Sequence, residues 1–427
     1  MRILLPIAGL FCVVGCTSPT VPTTSFRFPG EFEPQEAVWL GWGDSDDFHE
    51  MNLAMIRALM PHVHVRLAVG SDSARQESEH YLDSAHVDLT ALEIHVIPGA
   101  DFWMRDCAPA YVLQDTAMRA VDFTWADYGL RDWLVNLFDG DTLKADTMSA
   151  SDGGPSRGTA DSLCAIADRT PMIRSWLRLE GGAIESNGQG TLVVTGPLIM
   201  QRNPGRSKEE IEKEFENVLG IKHVIWLPTG LAEDPHLWRT IAPGYYGIGC
   251  GGHTDEYVRF SDPHTVLLAW LPEKDKDANP INRMNHERLV ADLEVLTKAK
   301  DHDGKPLRII KVPLPELHVR PTVMLDREHW NDGYNISVSA FSKHDGWAPG
   351  DTAMRVAAAT YMNFFVTNKA VLIPTYPSAD HTIEEEARRA FAEAFPGREL
   401  IFLDAMAANW DGGGLHCGTQ QVPKRRR

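Results

Sequence analysis

The chain has 427 residues, of which 43% are hydrophobic and 23% are charged, and this globular composition excludes a disordered chain. It carries 41 basic and 59 acidic residues, which gives a formal net charge of −18 at pH 7. A broad phosphate-neutralising surface is therefore excluded, and nucleic-acid binding with it, whereas a small cationic substrate suits the negative field.

Residues 1–15 predict a lipoprotein signal peptide. Arg2 precedes an apolar run that is too short for a membrane-spanning helix, which needs about 20 residues, and the run ends in VVGC at Cys16. This ending resembles a bacterial lipobox, in which Cys16 carries the lipid. An ordinary cleaved signal peptide and a buried first strand are the alternatives. We expect an exported bacterial lipoprotein, held outside the cytoplasm by its lipid, with residues 16–27 as a tether.

Strand-like and helix-like segments alternate along the rest of the chain, which predicts a mixed α/β fold. Helical periodicity is clearest over 207–220, with a capping box of Ser207 and Glu210 and a stop at Gly220, and over 381–395. Four strands are followed or ended by proline, which is a weak repeat signal. Short apolar runs predict strands at 37–42, 62–69, 92–97, 110–113, 119–125, 191–196, 223–227, 265–270, 308–312, 370–374 and 400–404.

The domain organisation follows from these segments. We predict a single domain over 28–423, a surface insertion at about 139–169, a polar loop over 271–287 and a solvated basic tail at 424–427. Four cysteines remain after the signal and lipid positions, at 107, 164, 250 and 417, and they form no CxxC pair. Structural zinc is therefore disfavoured. Disulfide pairing among Cys107, Cys164 and Cys250 and the oligomeric state stay open.

Five phrases concentrate glycine, acidic residues, histidine and cysteine beyond what packing needs. Each lies at the end of a predicted strand or in a glycine-rich loop, where functional side chains are usually mounted. They are DFWMRDCAP (101–109), LEGGAIESNGQGT (179–191), GCGGHTDEYVRF (249–260), YMNFFVTN (361–368) and NWDGGGLHCGTQQVP (409–423).

Cys417 is the candidate nucleophile. It follows Asp411 and three glycines and precedes a polar segment, a setting typical of a reactive thiol and unlike a packed core. The alternative is an inert buried cysteine. His253 and Asp255 lie two positions apart, and in a strand they would share a face and point into one site. Acid/base work is favoured over metal binding because HxD offers two ligands and His416, beside Cys417, is expected to face away.

Three carboxylates would gather near this thiol and imidazole: Asp106, Glu180 and Asp255. Such crowding is costly without a cation, so the site is suited to a positive ligand, and a planar guanidinium matches paired carboxylates best. Trp103 would supply an aromatic wall. The alternatives are an ion pair of Asp106 with Arg105 or another neighbour, and a loop-capping role for Glu180.

Together the five phrases resemble the agmatine deiminase and bacterial (Porphyromonas-type) peptidylarginine deiminase family of the guanidine-modifying pentein superfamily. The resemblance runs from FEPQEAVWLGW near Phe28 through RNPGRSKEEIE and VIWLPTGL to Pro423, in the family's order. It implies a five-fold pseudosymmetric αβ propeller with the site at its centre.

The resemblance also implies the roles of the site residues. Cys417 would attack the guanidinium carbon, and His253 would protonate departing ammonia and then activate water. Asp106 and Asp255 would clamp the guanidinium, and Glu180 would orient it. The products would be a ureido compound and ammonia, with neither metal nor organic cofactor.

Two stretches depart from the agmatine-specific pattern and both are expected at the substrate mouth: 121–133, VDFTWADYGLRDW, and 232–250, AEDPHLWRTIAPGYYGIGC. Agmatine, converted to N-carbamoylputrescine, is the preferred substrate. Peptidylarginine and free arginine are alternatives, because a substrate carboxylate would need a basic partner and Arg131 is the only nearby candidate. Two more functions stay open: an amidinotransferase, which would use the same cysteine, and a guanidino-binding lipoprotein without turnover.

Overall fold

The computed structural model describes residues 26–151, 158–326, 335–378 and 381–425. The predicted signal peptide and Cys16 lie outside these residues. The described strands are β1 (Gln35–Gly41), β2 (His64–Val69), β3 (Leu92–Val96), β4 (Ala110–Gln114), β5 (Ala117–Thr124), β6 (Met172–Arg178), β7 (Ile184–Ser186), β8 (Thr191–Thr195), β9 (His223–Leu227), β10 (Arg239–Ala242), β11 (Tyr245–Gly247), β12 (Val258–Asp262), β13 (Thr265–Trp270), β14 (Arg308–Pro313), β15 (Val319–Leu325), β16 (Asn335–Ser337), β17 (Thr352–Val356), β18 (Phe365–Val366), β19 (Ala370–Thr375), β20 (Glu399–Asp404) and β21 (Thr419–Pro423).

The helices are α1 (Asp46–Leu59), α2 (Asp72–Ser84), α3 (Met104–Cys107), α4 (Leu130–Leu137), α5 (Thr142–Ser151), α6 (Thr159–Leu163), α7 (Gly196–Arg202), α8 (Lys208–Leu219), α9 (Pro280–Lys298), α10 (Thr382–Ala394) and α11 (Met406–Trp410). The mixed α/β prediction is confirmed, and each of the predicted strands is present. The Ser207 side chain accepts from the backbone N–H of Glu210, the Glu210 side chain returns the bond, and Gly220 ends α8 with φ of 75°.

Two predictions about loops need correction. Residues 280–287 are the start of α9 and not a polar loop, because Asn279 caps the helix, Pro280 suits its first turn, and Ile281 and Leu289 are buried beneath it. The segment 139–169 is only partly a surface insertion: Leu163 and Cys164 at its far end are buried against the core.

Five sheets repeat one strand pattern. In each, a middle strand pairs antiparallel with one neighbour and parallel with the other, and at least one helix lies along the chain between the two parallel strands. The antiparallel pairs are β21 with β1, β4 with β5, β7 with β8, β12 with β13 and β18 with β19. The parallel partners are, in the same order, β2, β6, β9, β14 and β20.

The repeat explains where the five sequence phrases meet. In each sheet, the strand that pairs antiparallel with the middle strand (β4, β7, β12, β18 or β21) begins directly after one of those phrases or within it. The part of the phrase before that strand lies on α3, on a 3-10 turn or in a loop. The candidate residues therefore occupy equivalent places in five equivalent units. A sixth sheet, in the order β10-β11-β17-β15-β16, stands outside this pattern and begins in the divergent stretch 232–250.

A buried ion network joins the first described residues to the middle of the chain. The fully buried Arg259 guanidinium lies 2.9 Å from the carboxylates of both Glu31 and Glu185. Glu31 also pairs with Arg105 at 3.1 Å and contacts His416 Nε2 at 2.6 Å. Removing one partner from such a network leaves an uncompensated buried charge, which costs roughly 3–5 kcal/mol. Within the described ranges, every helix is too short or too polar to cross a membrane.

Candidate active site

A cavity of about 180 Å³ lies where these phrases converge. Its wall is made by α3, by the divergent stretches 121–133 and 232–250, and by the loop before β21. This placement agrees with the prediction that both stretches line the mouth of the substrate cavity. The lining residues are Trp103, Asp106, Tyr128, Leu237, Ile248, Gly249, Cys250, Asp411, Gly412 and Cys417.

Cys417 is held two residues before β21, and only 2% of its surface is exposed. Its Sγ lies 3.5 Å from Asp255 Oδ2 and 3.9 Å from Glu256 Oε1. The backbone of the loop before β21 passes close to the thiol and to Trp103. A Cβ on Gly413 would lie 3.0 Å from this sulfur and 2.5 Å from the Trp103 ring. Only glycine therefore fits between the thiol and the aromatic wall. Trp103 is thus placed at the cavity, beside the thiol.

Asn363 fixes the thiol and was not singled out from the sequence. Its Nδ2 donates to Cys417 Sγ at 3.1 Å and to Glu256 Oε1 at 2.8 Å. Its Oδ1 accepts from the backbone N–H groups of His416 and Cys417 at 2.8 and 3.3 Å. The only signal was its position in the phrase YMNFFVTN, one of the five.

His253 lies beside Asp255, although not for the reason expected. Residues Thr254–Glu256 form a 3-10 turn and not a strand, so His253 and Asp255 are not on one strand face. The turn nevertheless brings His253 Nδ1 to 3.9 Å from Asp255 Oδ1 and 4.0 Å from Asp106 Oδ1. The other ring nitrogen, Nε2, lies 3.3 Å from Glu180 Oε2.

The carboxylate of Asp234 shapes the loop that carries His253. It accepts from the backbone N–H of Cys250, from those of Gly251 and Gly252 at 3.2 and 2.8 Å, and from that of His253 at 2.7 Å. Gly251 and Gly252 adopt positive φ values of 94° and 106°, which glycine tolerates. Asp234 was missed because it lies in the divergent stretch and acts only on the backbone.

The charges around His253 keep it protonated. Burial lowers the pKa of His253, but the carboxylates of Asp106 and Asp255 and the hydrogen bond with Glu180 outweigh burial and raise it to about 9. Burial raises the pKa of Glu180, yet Arg202 and His253 bring it down to about 2. At neutral pH the pair is therefore an imidazolium held by a carboxylate.

Glu180 lies behind His253 rather than on the cavity wall. It is fully buried, and its Oε1 accepts from Arg202 Nε at 2.9 Å. Its side chain caps no helix, so the loop-capping alternative is wrong. The structure places Glu180 in contact with His253, while the cavity is lined by Asp106.

Asp106 faces the cavity from α3. Its Oδ1 accepts from the backbone N–H of Gly182 and its Oδ2 from the hydroxyl of Tyr128, each at 3.1 Å. Burial raises the pKa of Asp106 to about 6, with His253 opposing the increase and Asp255 adding to it. The alternative pairing with Arg105 is wrong, because Arg105 pairs with Glu31.

His416 contacts the site instead of standing apart from it. Its Nδ1 lies 2.7 Å from Asp255 Oδ2 and its Nε2 lies 2.6 Å from Glu31 Oε2, so it connects the core ion network to Asp255. Burial raises the pKa of Asp255, but the hydrogen bond and charge of His416 and the charge of His253 lower it overall. The prediction that His416 faces away is therefore corrected.

Glu256 and Cys417 are both held in their neutral forms. Burial and the neighbouring carboxylates of Asp255 and Asp234 raise the pKa of Glu256 well above its ordinary value. Burial and the carboxylates of Asp255 and Glu256 likewise raise the pKa of the Cys417 thiol. A cation entering the cavity reverses this effect, because it favours the thiolate and screens the acids.

The remaining candidate residues are also placed. Arg131 pairs with Asp146 at 2.6 Å, is half exposed and does not line the cavity, so it is not the expected basic partner. Cys107, Cys164, Cys250 and Cys417 are free thiols. Among the described residues, two groups of three potential metal ligands have donor atoms within 4.8 Å of one another: Asp106 with Cys250 and His253, and Asp255 with Glu256 and Cys417.

Comparison with known proteins gives one consistent result. Residues 27–423 match the family model described as Porphyromonas-type peptidyl-arginine deiminase. An agmatine deiminase of Pseudomonas aeruginosa is 28% identical over 406 residues, covering 94% of this chain and 96% of the relative. An agmatine deiminase of Medicago truncatula is 27% identical over 411 residues, covering 93% and 96%.

Among solved structures, the agmatine deiminase of Enterococcus faecalis superposes with a TM-score of 0.70 at 24% identity. The match covers 94% of this chain and 97% of that one. It shows that the two chains share a mixed α/β fold over nearly their whole length.

Proposed function

Because the chain belongs to the Porphyromonas-type peptidyl-arginine deiminase family, we propose that it is a hydrolase that deiminates agmatine to N-carbamoylputrescine and ammonia. One observation carries the proposal: the Cys417 thiol shares a cavity with Asp106 and lies beside Asp255, and these two carboxylates lie 4.0 and 3.9 Å from His253 Nδ1. A nucleophile, a proton donor and a cation site are thereby combined.

The guanidinium is recognised by charge. Asp106 and Asp255 offer oxygens that lack a full set of partners: Asp255 Oδ1 is buried without a hydrogen bond. Such an oxygen is costly to bury unless a ligand satisfies it. A guanidinium carries five N–H donors in one plane and pairs with carboxylates two bonds at a time. The inner end of the cavity is thus suited to this group.

The first half-reaction transfers the amidino carbon to sulfur. The arriving cation drives the Cys417 proton to solvent, and the thiolate forms a bond with the guanidinium carbon. The C–N bond to one amino group then breaks as imidazolium His253 gives its proton to the departing ammonia. A cationic thiouronium and neutral His253 remain. The pKa of about 9 means that His253 holds this proton before substrate binds.

The second half-reaction restores the enzyme. Neutral His253 takes a proton from water, and the hydroxide adds to the thiouronium carbon. The C–S bond breaks, which releases the thiolate of Cys417 and the ureido product, and the proton lost from the new oxygen is taken up by ammonia. Cys417 then regains from solvent the proton that it lost when the substrate bound. Substrate and water are thereby converted to a ureido compound and ammonium, with no electron transfer.

The outer part of the cavity is better suited to the terminal amine of agmatine than to the carboxylate of arginine. Leu237 and Ile248 offer apolar surface for an alkyl chain, and the half-exposed Asp411 carboxylate suits a terminal amine. Among the described residues that line this cavity there is no lysine or arginine. Arg355 contacts Asp411 at 3.1 Å, and its same nitrogen also donates to the backbone carbonyl of Trp410.

We also infer two wider features. The five equivalent units support a pseudosymmetric arrangement around the site, as the resemblance implies, with each unit contributing the segment before its first strand. The lipobox-like sequence ending at Cys16 supports a lipid-anchored, extracytoplasmic enzyme. Labelling with a palmitate analogue tests the anchor: Cys16→Ala loses the label if the inference is right, and label on the variant refutes it.

A direct assay tests the reaction and the substrate. The purified chain without residues 1–16 is given agmatine, free arginine and a C-terminal arginine peptide, and ureido product and ammonia are measured. We expect agmatine to be preferred and Cys417→Ala to abolish turnover while still binding agmatine. Peptide preference would favour peptidylarginine deimination, the activity in the family model's description. Exchange of the amidino group onto an added amine would identify an amidinotransferase.

A further inference from the structure

We propose that Asp106, Cys250 and His253 form a binding site for a borderline-soft divalent metal such as Zn²⁺, and that the metal excludes substrate from the cavity. The three donor atoms lie within 4.8 Å of one another. Cys250 and Asp106 line the same cavity. The metal is an inhibitory ligand here and takes no part in deimination.

His253 has a buried ring nitrogen without a hydrogen-bond partner. His253 is 1% exposed, and its Nδ1 has no hydrogen-bond partner. The carboxylate oxygens nearest to Nδ1 belong to Asp106 and Asp255, at 4.0 and 3.9 Å, which is beyond hydrogen-bonding reach. Nδ1 therefore points to a place where a ligand would complete its environment.

Neighbouring groups hold the three candidate ligands in place. A metal-binding histidine usually gives its other ring nitrogen to a carboxylate, and His253 Nε2 already contacts Glu180 at 3.3 Å. Asp106 is oriented by the Gly182 N–H and the Tyr128 hydroxyl, each at 3.1 Å. The loop bearing Cys250 and His253 is tied to one carboxylate through its backbone. The ligands thus have the outer contacts of a metal site.

The donor set selects the class of metal. One sulfur, one imidazole nitrogen and one carboxylate oxygen suit Zn²⁺, whereas Mg²⁺ and Ca²⁺ prefer oxygen alone. Bonds of about 2.0–2.3 Å in a tetrahedron place donor atoms roughly 3.5 Å apart, so small side-chain movements close the site. As the metal binds, Cys250 loses its thiol proton and His253 loses its Nδ1 proton, both to solvent, while Nε2 of His253 keeps its proton toward Glu180. Three protein ligands leave the fourth position to water.

The effect on the enzyme rests on the proposed function. The metal would bind Asp106 and His253 Nδ1, the groups to which the proposed function assigns guanidinium binding and proton transfer. Both cations compete for the same negative site, so agmatine and metal exclude each other. Cys250 distinguishes this site from the second group, because Asp255, Glu256 and Cys417 would bind metal through the nucleophile instead.

Metal binding is measured without turnover. Co²⁺ serves as the Zn²⁺ surrogate, because a thiolate bound to Co²⁺ gives a near-ultraviolet charge-transfer band. We expect one Co²⁺ per chain with this band, and Zn²⁺ displaces it. Cys250→Ser should remove the band and weaken Zn²⁺ binding by about 100-fold or more, since even outer contacts of a metal site are worth about 10- to 100-fold. Circular dichroism verifies that the variant is folded.

Two matched controls locate the site. Cys164→Ser, a buried thiol that does not line the cavity, and Cys417→Ser should both keep the band. Agmatine added to Cys417→Ser, which cannot turn over, should weaken Zn²⁺ binding in proportion to its concentration. A band that survives Cys250→Ser, or the absence of saturable Co²⁺ binding to the wild-type chain, overturns the proposal. A band with no turnover of any guanidine instead refutes the proposed function and leaves the metal site standing.

Discussion

The substitution Asp106→Asn should lower the pKa of His253. Asp106 is the first of the carboxylates that raise this pKa to about 9, and it lies 4.0 Å from Nδ1. Asparagine has nearly the same shape, and its Oδ1 still accepts from the Gly182 N–H. The variant therefore removes a charge and keeps the packing. Its effect is confined to pH values above about 6, where Asp106 is ionised in the native protein.

The size of the effect follows from the distance. Two unit charges 4 Å apart interact by roughly 4 kcal/mol at an effective dielectric constant of about 20, and this is a ceiling. Both charges are delocalised, and Glu180 and Asp255 remain. We therefore expect the His253 pKa to fall by about one to two units, which corresponds to roughly 1.4–2.8 kcal/mol.

NMR titration of the histidine ring resonances from about pH 5 to about pH 10 measures this pKa. The range spans the ordinary histidine pKa of about 6.5 and the raised value of about 9. His253→Gln identifies the resonance. Asp411→Asn is the matched control, because Asp411 lines the same cavity but is half exposed and does not contact His253. An unchanged His253 titration in Asp106→Asn, or an equal shift in the control, would refute the electrostatic account. The raised pKa also stabilises the fold below about pH 6.5, and this contribution is lost as pH rises through about 9.

Three further outcomes are expected. In steady-state assays, Gly413→Ala should reduce kcat by at least about tenfold, because the added Cβ pushes Trp103 or Cys417 aside. Gly70→Ala is the control and should leave kcat unchanged, since its Cβ would meet one backbone oxygen at 3.4 Å. Arg259→Met should lower the free energy of unfolding by about 3–5 kcal/mol in urea melts, because it leaves the buried Glu185 carboxylate without its ion-pair partner and removes one of the cationic partners of Glu31. A loss below about 1 kcal/mol would contradict the network. Glu256→Gln should change that free energy by less than about 1 kcal/mol, since the acid is already neutral and Gln still accepts from Asn363, whereas a large loss would show that Glu256 is charged.

Local patterns predicted much of the fold. The 11 predicted strands were visible because each is a short apolar run, and α8 was visible because its cap residues and its periodicity agree. The sixth sheet was missed because its strands are half-exposed and β15 contains Pro321, which disfavours a strand assignment. The start of α9 was missed because residues 280–287 are mostly polar and Ile281 is the one buried apolar residue among them.

Site residues were predictable where several reactive or charged side chains stand close together in one of the five phrases. Cys417, His253, Asp106 and Asp255 were identified in this way, and the structure brings them together. Residues that act through distant partners gave no such signal. Glu31 meets His416 across 385 positions, and such a contact exists only after folding. Asn363 lies in one of the five phrases, but its contact with Cys417 could not be predicted for the same reason.

The pairing of β1 with β21 has a consequence for biosynthesis. Gln35 in β1 is the register partner of Pro423 in β21, so the first described strand gains this neighbour only after the last strand has been made. The nucleophile Cys417 lies two residues before that last strand. Closing a loop of this length is entropically costly and favours slow, late assembly. A nascent or C-terminally cleaved chain that lacks the last segment would hold four of the five site segments but not the nucleophilic thiol of Cys417. Catalytic competence would therefore appear only with the completed polypeptide, long after most of the hydrophobic core could form.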